Sequence, residues 1–308
     1  MAEHFVQPPH WEWYILAYFF LGGLSGGAYA LATMLRLIGG PRDEATARIG
    51  FLTAFPLLVA CPILLALDLG QPLRFWHMLI DTTPGHLGPA FKDWSPMSVG
   101  SWVLLLYGVF AFVSFLEVLA PAGRSLSRIL SGGIGRIFNV VGAILGLFIA
   151  SYTGVLLSVS NQPIWSDTWA LGGLFLASSL GGAAALLSWL ARHRPEAEST
   201  ERRLFSADRY FALLELVLIV LFFVNLAGAG TLARALAGPW AGFWGLVVVS
   251  LLLPLAGLGR PRPRTEVAAG SGSAPAGRAA SGSRTMVLAG VLIGVLLMRF
   301  VVIFSAQY

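Results

Sequence analysis

The stretch WYILAYFFLGGLSGGAYALATM, residues 13–34, contains no charged side chain. A helix that spans a bilayer needs roughly 20 such residues, because the hydrocarbon core is ~30 Å thick and a helix rises ~1.5 Å per residue. Gly22 and Gly26 are spaced four residues apart, as are Gly23 and Gly27. This spacing lets neighbouring membrane helices approach closely. The stretch therefore predicts a tightly packed membrane helix.

Seven further apolar runs follow in the 308-residue chain. The chain is 56% hydrophobic and only 11% charged, so it has too little charge to cover the surface of a soluble domain. We therefore predict an all-α integral membrane protein with eight transmembrane helices. The predicted helices lie near residues 13–37, 48–69, 98–120, 134–158, 169–191, 209–230, 239–258 and 286–305.

Sixteen of the 20 basic residues fall in or beside alternate loops, those between helices 1 and 2, 3 and 4, 5 and 6, and 7 and 8. Cytoplasmic loops carry such an excess of arginine. Both termini are therefore predicted to be periplasmic, in a multi-pass protein of the bacterial cytoplasmic (inner) membrane. The net charge of +5 follows this topology and does not indicate nucleic-acid binding. The Gly-, Ser-, Ala-, Pro- and Arg-rich segment 259–285 is predicted to be a disordered cytoplasmic linker.

The histidines and the single cysteine limit the possible redox chemistry. None of the five histidines lies inside a predicted helix, so axial ligands for a transmembrane haem are missing. Cys61 alone cannot form an iron–sulfur cluster or a four-cysteine zinc site. We expect no haem and no metal in this chain. A redox role would use a diffusible organic carrier such as a quinone, with electrons exchanged through a partner.

Aromatic and polar residues concentrate on the predicted outer side. Nine of the ten tryptophans lie there, whereas an interfacial belt normally marks both sides. In the segment LDLGQPLRFWHML, residues 67–79, Gly70 and Pro72 break the helix, and a short interfacial helix is expected to follow. Two interpretations stay open: Asp68 and Arg74 form a structural pair, or the segment is a polar lid over a lipid-accessible pocket.

Several polar side chains lie within the predicted membrane helices. The hydroxyls of Tyr152 and Tyr18 each need a hydrogen-bond partner, which is either a quinone carbonyl or a backbone carbonyl. Ionisable groups are costly in lipid and usually face a bundle interior or water. In this chain such groups are either a candidate proton path or are held by local hydrogen bonds. Two of them, Glu117 and Asp208, are expected near the cytoplasmic boundary. The groups are Glu117, Asp208, Glu215 and Arg299.

These residues together resemble the NrfD family of membrane subunits. The Asp-Leu-Gly to Trp-His motif is fairly specific for that family, whereas the glycine pattern is not. The Tyr-Thr-Gly sequence in the fourth helix is also similar, and the likeness covers nearly the full length. The stretches that carry it are residues 13–30, 68–77, 98–102, 152–157 with Pro163 and Trp165, and 299–302.

The resemblance implies eight helices in two four-helix bundles, here residues 1–165 and 166–308. It implies a menaquinone or ubiquinone site near the outer end of the first bundle. It also implies a periplasmic iron–sulfur subunit that passes electrons to or from a molybdopterin enzyme or a cytochrome. The candidate catalytic residues are Asp68 and His77, and the candidate cofactor-binding residues are Tyr152, Tyr18, Trp13, Arg74 and Trp76.

The chain departs from the family pattern at two positions. Tyr18 stands where the family has a quinone-contacting histidine, and Gln71 replaces the usual arginine. Two other functions remain open. A structural anchor for an external enzyme would share the docking surface but lack a working quinone pocket. A secondary transporter would use broken helices and a polar site near mid-membrane. Pro56, Pro62 and Pro254 could break helices, but few polar residues lie near mid-membrane.

Overall fold

The computed structural model describes residues 9–85, 87–120, 132–192, 198–258, 260 and 275–307. Within those ranges the chain is almost entirely helical, with one two-stranded ribbon in the loop after the second helix. The elements are α1 (Trp13–Ile38), α2 (Glu44–Asp68), a 3₁₀ helix (Pro72–Met78), β1 (Ile80–Asp81), β2 (Gly88–Pro89), α3 (Pro96–Leu119), α4 (Gly133–Ser158), α5 (Leu171–Ala191), α6 (Glu198–Ala229), α7 (Leu232–Ala235), α8 (Trp240–Leu255) and α9 (Pro275–Ser305).

Seven of the described helices are long and apolar enough to cross a membrane, judged by length and composition. The all-α membrane architecture predicted from the apolar runs is confirmed at this level. The helix predicted near 239–258 is α8, which has only 16 residues and is therefore about 24 Å long. It begins after Pro239 and ends before Gly257, which has a φ of 76°. Its role as an eighth crossing stays a prediction.

Two helices begin 11 residues earlier than predicted. Helix α6 begins at Glu198 rather than near 209, and α9 begins at Pro275 rather than near 286. Helix α9 thus covers residues 275–285 of the predicted linker, while residues 259 and 261–274 of it lie outside the described part of the chain. Proline suits the first turn of a helix, and the alanines and arginine that follow are good helix formers. Arg284 of α9 forms an ion pair at 2.8 Å with Glu201 of α6, so the added turns contact each other.

The long helices pack as two rings of four. Each of α1 to α4 contacts the next, and α4 closes the first ring against α1. Helices α5, α6, α8 and α9 contact one another in the same way and form the second ring. Helix α1 also lies against α5 and α9, and α4 lies against α5. The predicted division of the chain at residue 165 stays a prediction.

Glycines allow the closest helix contacts. The sequence predicted close contacts at all four glycines of α1, and the structure has them at three. A Cβ atom on Gly26 would overlap the backbone of Gly146 in α4. A Cβ atom on Gly27 would lie 2.6 Å from the carbonyl oxygen of Ser179 in α5. Gly26 therefore holds the first ring together, while Gly27 joins the two rings. Gly22 is the exception, because an added Cβ would meet only ordinary contacts of 3.6 Å or more.

The arginine-rich end of the bundle is held by ion pairs. The Asp43 carboxylate, 2% exposed, accepts hydrogen bonds from the Thr200 hydroxyl at 2.6 Å and the Arg203 guanidinium at 2.7 Å. Asp43 precedes α2 and its two partners lie on α6, so this contact joins the two rings. We call this the inner end, and the opposite end, which carries Trp11 and Gln307, the outer end.

Candidate functional site

Tyr152 lies in the outer half of α4, with its side chain directed toward α3. Its hydroxyl donates a hydrogen bond to the carbonyl of Pro96 at 2.7 Å. Its ring packs against Phe148, with centroids 5.6 Å apart, and occupies the space that a side chain at Gly100 would need. A backbone carbonyl was one of the two partners predicted for this hydroxyl. The hydroxyl oxygen keeps its lone pairs for a hydrogen bond from a ligand.

A small group of side chains faces the interior of the first ring just below the outer end. Tyr18 is buried at 5% exposure, and Cys61 and Tyr152 are among its electrostatic neighbours. A Cβ atom added to Gly22 would lie 3.6 Å from the Cys61 sulfur and 3.7 Å from both Ile149 and the Tyr18 ring. These side chains therefore leave room for at least one more carbon atom. We call Tyr18, Gly22, Cys61 and Ile149, together with Tyr152 and Thr153, the interior site.

Thr153 is included because it follows Ile149 by one turn on the same face of α4, and the sequence reasoning missed it. Its side chain is fully buried, and its hydroxyl has no hydrogen-bond partner among the described residues. The hydroxyl of a helical threonine can usually bond to the carbonyl four residues earlier. The sequence does show a threonine next to Tyr152 in an apolar run. It does not show whether the hydroxyl of that threonine bonds to a carbonyl of its own helix.

Asp68 is the last residue of α2, at the outer end of the bundle. It follows Cys61 by seven residues on α2, and it is therefore on the same helix face, about 10 Å further along the axis. It is partly exposed, and the carboxylate of Glu12, just before α1, is its charged neighbour. Within the described residues no ion pair joins Asp68 to Arg74, so the structural pairing left open by the sequence is not present.

Arg74, Trp76 and His77 lie on the predicted interfacial helix, which is the 3₁₀ helix beginning at Pro72. All three are exposed. The rings of Trp76 and His77 stack with centroids 3.9 Å apart, and His77 Nδ1 lies 3.2 Å from the Arg74 carbonyl. A surface depression of about 530 Å³ opens beside this helix; its lining residues are Leu69, Gln71, Arg74, His77 and Met78.

Large apolar side chains are exposed in the loop between α2 and α3 and at the start of α1. Leu73 is 87% exposed and Trp94 is 78% exposed, and neither lies in a membrane-length helix. Trp13 is 58% exposed and stacks on Tyr14 at 4.1 Å. Trp13 is therefore not among the buried side chains of the interior site, and its predicted role in cofactor binding stays a prediction. The other exposed apolar side chains of the loop are Phe75, Trp76, Met78, Ile80, Leu87 and Phe91.

The ionisable groups predicted as a proton path lie in different parts of the bundle. Asp208 and Glu215 are both on α6, seven residues apart, and are 4% and 2% exposed. Glu215 and Arg299 are electrostatic neighbours, but no ion pair joins them in the described structure. The Oε1 atom of Glu215 is buried without a hydrogen-bond partner among the described residues. The second ring thus holds these three groups together.

Glu117 is separate from this group. It lies on α3 in the first ring and forms an ion pair with Arg36 at 2.8 Å. Arg36 also pairs with Glu44 at 2.6 Å. Glu117 and Asp208 are the two carboxylates expected near the cytoplasmic boundary, and both side chains are buried within the bundle. The partners of Glu117 explain its burial, since a buried carboxylate needs a countercharge.

Comparison with known proteins gives the same family as the sequence motifs. The family model described as Polysulphide reductase, NrfD, matches residues 3–267. The protein NrfD of Escherichia coli is 29% identical over 320 residues, which cover 96% of this chain and 95% of that protein. The C subunit of the polysulfide reductase of Wolinella succinogenes is 27% identical, covering 96% and 94%. An NrfD homolog of Haemophilus influenzae is 29% identical over 80% of this chain and 82% of its own length.

The family match covers most of the chain, and the apolar helices agree with it. The resemblance noted from the Asp-Leu-Gly and Tyr-Thr-Gly motifs is confirmed. This multi-pass membrane protein belongs to the polysulphide reductase NrfD family.

Proposed function

We propose that the chain is the membrane subunit of a respiratory oxidoreductase complex. In this proposal it exchanges electrons between a membrane quinone, menaquinone or ubiquinone, and a periplasmic iron–sulfur subunit. The observation that carries the proposal is the interior site. It has the buried hydroxyl groups of Tyr152 and Thr153, and Asp68 lies further along α2 toward the outer end. A relative of similar length is named as the C subunit of a polysulfide reductase, and this name supports a place in a multi-subunit reductase.

The side chains of the interior site fit a quinone head group. A quinone carbonyl accepts hydrogen bonds and a quinol hydroxyl donates them, and a hydroxyl side chain can serve either partner. The Thr153 hydroxyl is buried and unsatisfied within the described structure, and the Tyr152 oxygen retains accepting capacity. The space at Gly22 lies between apolar groups and the Cys61 sulfur. Polar atoms of this kind, set in an apolar wall, are typical of small-molecule sites.

A bound quinol supplies two electrons and two protons when it is oxidised to the quinone. The chain needs a group near the site that accepts these protons, and a carboxylate and an imidazole can both do so. Asp68 is the carboxylate on the Cys61 face of α2, and His77 is exposed nine residues further on. We assign Asp68 as the first proton acceptor and His77 as the relay to the outer solution.

The exposed apolar loop around Leu73 and Trp94 is the proposed docking surface for the iron–sulfur subunit. Large aromatic and apolar side chains outside the membrane spans are costly unless a partner covers them, and interfaces are enriched in such residues. Through this partner, electrons would reach or leave a molybdopterin enzyme or a cytochrome. Arg74 and His77, at the edge of the same surface, would add polar contacts.

We also propose eight crossings, with both termini in the periplasm of a bacterium. The backbone N–H of Trp11 donates to Oε1 of Gln307 at 3.0 Å, so the described ends of the chain lie together. Helix α8 begins near Arg234, which bonds to the Ala306 carbonyl at the outer end. It ends at Leu255, whose carbonyl accepts a bond from Arg209 on the inner half of α6. The short α8 thus runs from the outer end toward the inner end.

Proton translocation remains part of the proposal, with a reduced set of residues. Asp208 and Glu215 lie on one face of α6, about 10 Å apart along the axis, and Arg299 follows toward the outer half. Glu117 belongs to an ion-pair cluster in the other ring, so it is better suited to a structural role. The candidate path is therefore Asp208 to Glu215 within the second ring.

The test is the binding of menaquinone-1 and ubiquinone-1 to the purified full-length protein, measured by quenching of tryptophan fluorescence. We expect saturable binding of at least one quinone, weakened by Tyr152→Phe and by Asp68→Asn. A protein that binds neither quinone, but still binds its partner subunit, would be a structural anchor. Substrate uptake by proteoliposomes that contain this protein alone would instead indicate a secondary transporter.

A further inference from the structure

The interior of the first ring contains a hydroxyl group that makes no hydrogen bond within the described part of the fold. We propose that Thr153 is a ligand-binding residue whose hydroxyl forms a hydrogen bond with the quinone head group. This inference rests on the proposed function of the interior site. It assigns the direct contact to Thr153 and gives Tyr152, whose own proton is already committed, a second contact as a hydrogen-bond acceptor.

The unused hydroxyl of Thr153 contrasts with other hydroxyls in the long helices. Thr53 donates to the carbonyl of Ile49 at 2.7 Å, and Ser179 donates to that of Phe175 at 2.6 Å. Ser158, one turn beyond Thr153, donates to the Gly154 carbonyl at 3.2 Å. Thr153 makes no such bond to any described residue, although it is fully buried. An unsatisfied buried hydroxyl costs about 1–3 kcal/mol, so a partner from outside the chain is expected.

The position of Thr153 follows from the packing of α1 against α4. These helices are antiparallel, since Gly26 meets Gly146 and Gly22 meets Ile149. One further turn toward the outer end takes Gly22 to Tyr18 and Ile149 to Thr153, because residues four apart share a helix face. Thr153 and Tyr18 therefore lie at the same level on facing sides of α4 and α1.

The space beside Gly22 adjoins this level. An added carbon there would lie 3.6 Å from the Cys61 sulfur and 3.7 Å from Ile149, which are ordinary contacts. By contrast, a carbon on Gly26, one turn deeper, would overlap the Gly146 backbone. The ring interior is thus closed at Gly26, whereas the position beside Gly22 leaves room for one more carbon atom. A planar head group that entered from the outer half would stop with its polar edge near Thr153 and Tyr18.

Substitution of Thr153 separates a ligand contact from a packing role. Thr153→Val keeps the shape of the side chain but removes the hydroxyl, whereas Thr153→Ser keeps the hydroxyl. The matched control is Thr46→Val, because Thr46 is also fully buried, with a hydroxyl unpaired among the described residues, but lies near the inner end, on α2. Each variant of the full-length protein is titrated with menaquinone-1 and ubiquinone-1, and its melting temperature is measured without quinone.

We expect Thr153→Val to weaken quinone binding about 3- to 10-fold, the effect of one neutral hydrogen bond. Its melting temperature should equal or exceed that of the wild type, because an unsatisfied polar group has been removed. Thr153→Ser should retain the affinity, and Thr46→Val should leave it unchanged.

The inference is overturned if Thr153→Val binds quinone as tightly as the wild type, or if Thr46→Val weakens binding equally. It is also overturned if Thr153→Val lowers the melting temperature while the affinity stays constant, since the hydroxyl would then serve packing. If the wild type binds neither quinone, the proposed function itself fails. These two failures are distinguishable, because only the second appears in the unsubstituted protein.

Discussion

Arg299 on α9 donates a hydrogen bond through Nε to the carbonyl of Phe19 on α1, at 3.2 Å. The guanidinium is fully buried, and its remaining N–H groups bond to neutral oxygens of α5 and α9. A cation of the second ring is therefore attached to the α1 residue next to Tyr18.

Arg299→Lys is expected to destabilise the protein more than Arg299→Met. Lysine keeps the buried charge but has three donors in place of five, and it is more strongly hydrated than arginine. The loss should be about 2 kcal/mol or more, since hydrogen bonds to charged groups contribute about 1.5–3 kcal/mol each. Methionine removes the charge together with the cost of burying it. Thermal unfolding of the purified variants measures this order.

The control for this comparison is Arg209→Lys. Arg209 is exposed and makes one long hydrogen bond of 3.4 Å to the Leu255 carbonyl, so its replacement should change the melting temperature little. Equal stability of Arg299→Lys and the wild type would show that the five hydrogen bonds contribute nothing.

Gly22→Ala and Gly26→Ala are expected to have opposite effects. The added methyl at Gly22 fits among Cys61, Ile149 and Tyr18, so the stability should change little. It would occupy the space assigned to the ligand and weaken quinone binding about tenfold. The methyl at Gly26 collides with the Gly146 backbone, and overpacking of this kind costs about 1–3 kcal/mol. Melting temperatures and quinone titrations measured side by side would reject this assignment if the two variants behaved alike.

The sequence was sufficient for seven long apolar helices and for the short helix that begins at Pro72, but not for the difference between these glycines. Gly22 and Gly26 belong to one repeat pattern. Only the crossing of α1 over α4 shows that Gly22 has room for a methyl group, whereas Gly26 contacts the backbone of Gly146. The same limit applies to Thr153, since a single rotamer decides whether its hydroxyl bonds within the helix. Helix α6 begins earlier than the apolar pattern indicated, because residues such as Glu201 and Arg203 read as loop residues until their partners are known.

Leu73→Ser and Trp94→Ala are expected to weaken the binding of the partner subunit. Both side chains are mostly exposed in the loop between α2 and α3. Truncation of a buried interface anchor typically costs about 1–2 kcal/mol or more. The expected result is a roughly tenfold weaker complex with unchanged quinone binding. Tyr210→Ser is the control, since Tyr210 is 74% exposed on the inner half of α6. Co-purification of the partner with each variant gives the measurement; undiminished recovery with both loop variants would move the docking surface elsewhere.

Glu215→Gln and Glu117→Gln are expected to separate proton transfer from structure. An amide cannot exchange a proton as a carboxyl group does. Glu215 has a buried oxygen without a partner among the described residues, so its replacement should leave the melting temperature unchanged or raised. Glu117→Gln instead breaks the ion pair with Arg36 and should lower the stability by about 1–3 kcal/mol. In proteoliposomes that contain the complete complex, Glu215→Gln should reduce quinol-driven pH changes while electron transfer continues. If proton movement were unaffected by Glu215→Gln but lost in a stable Glu117→Gln protein, the path would lie in the first ring.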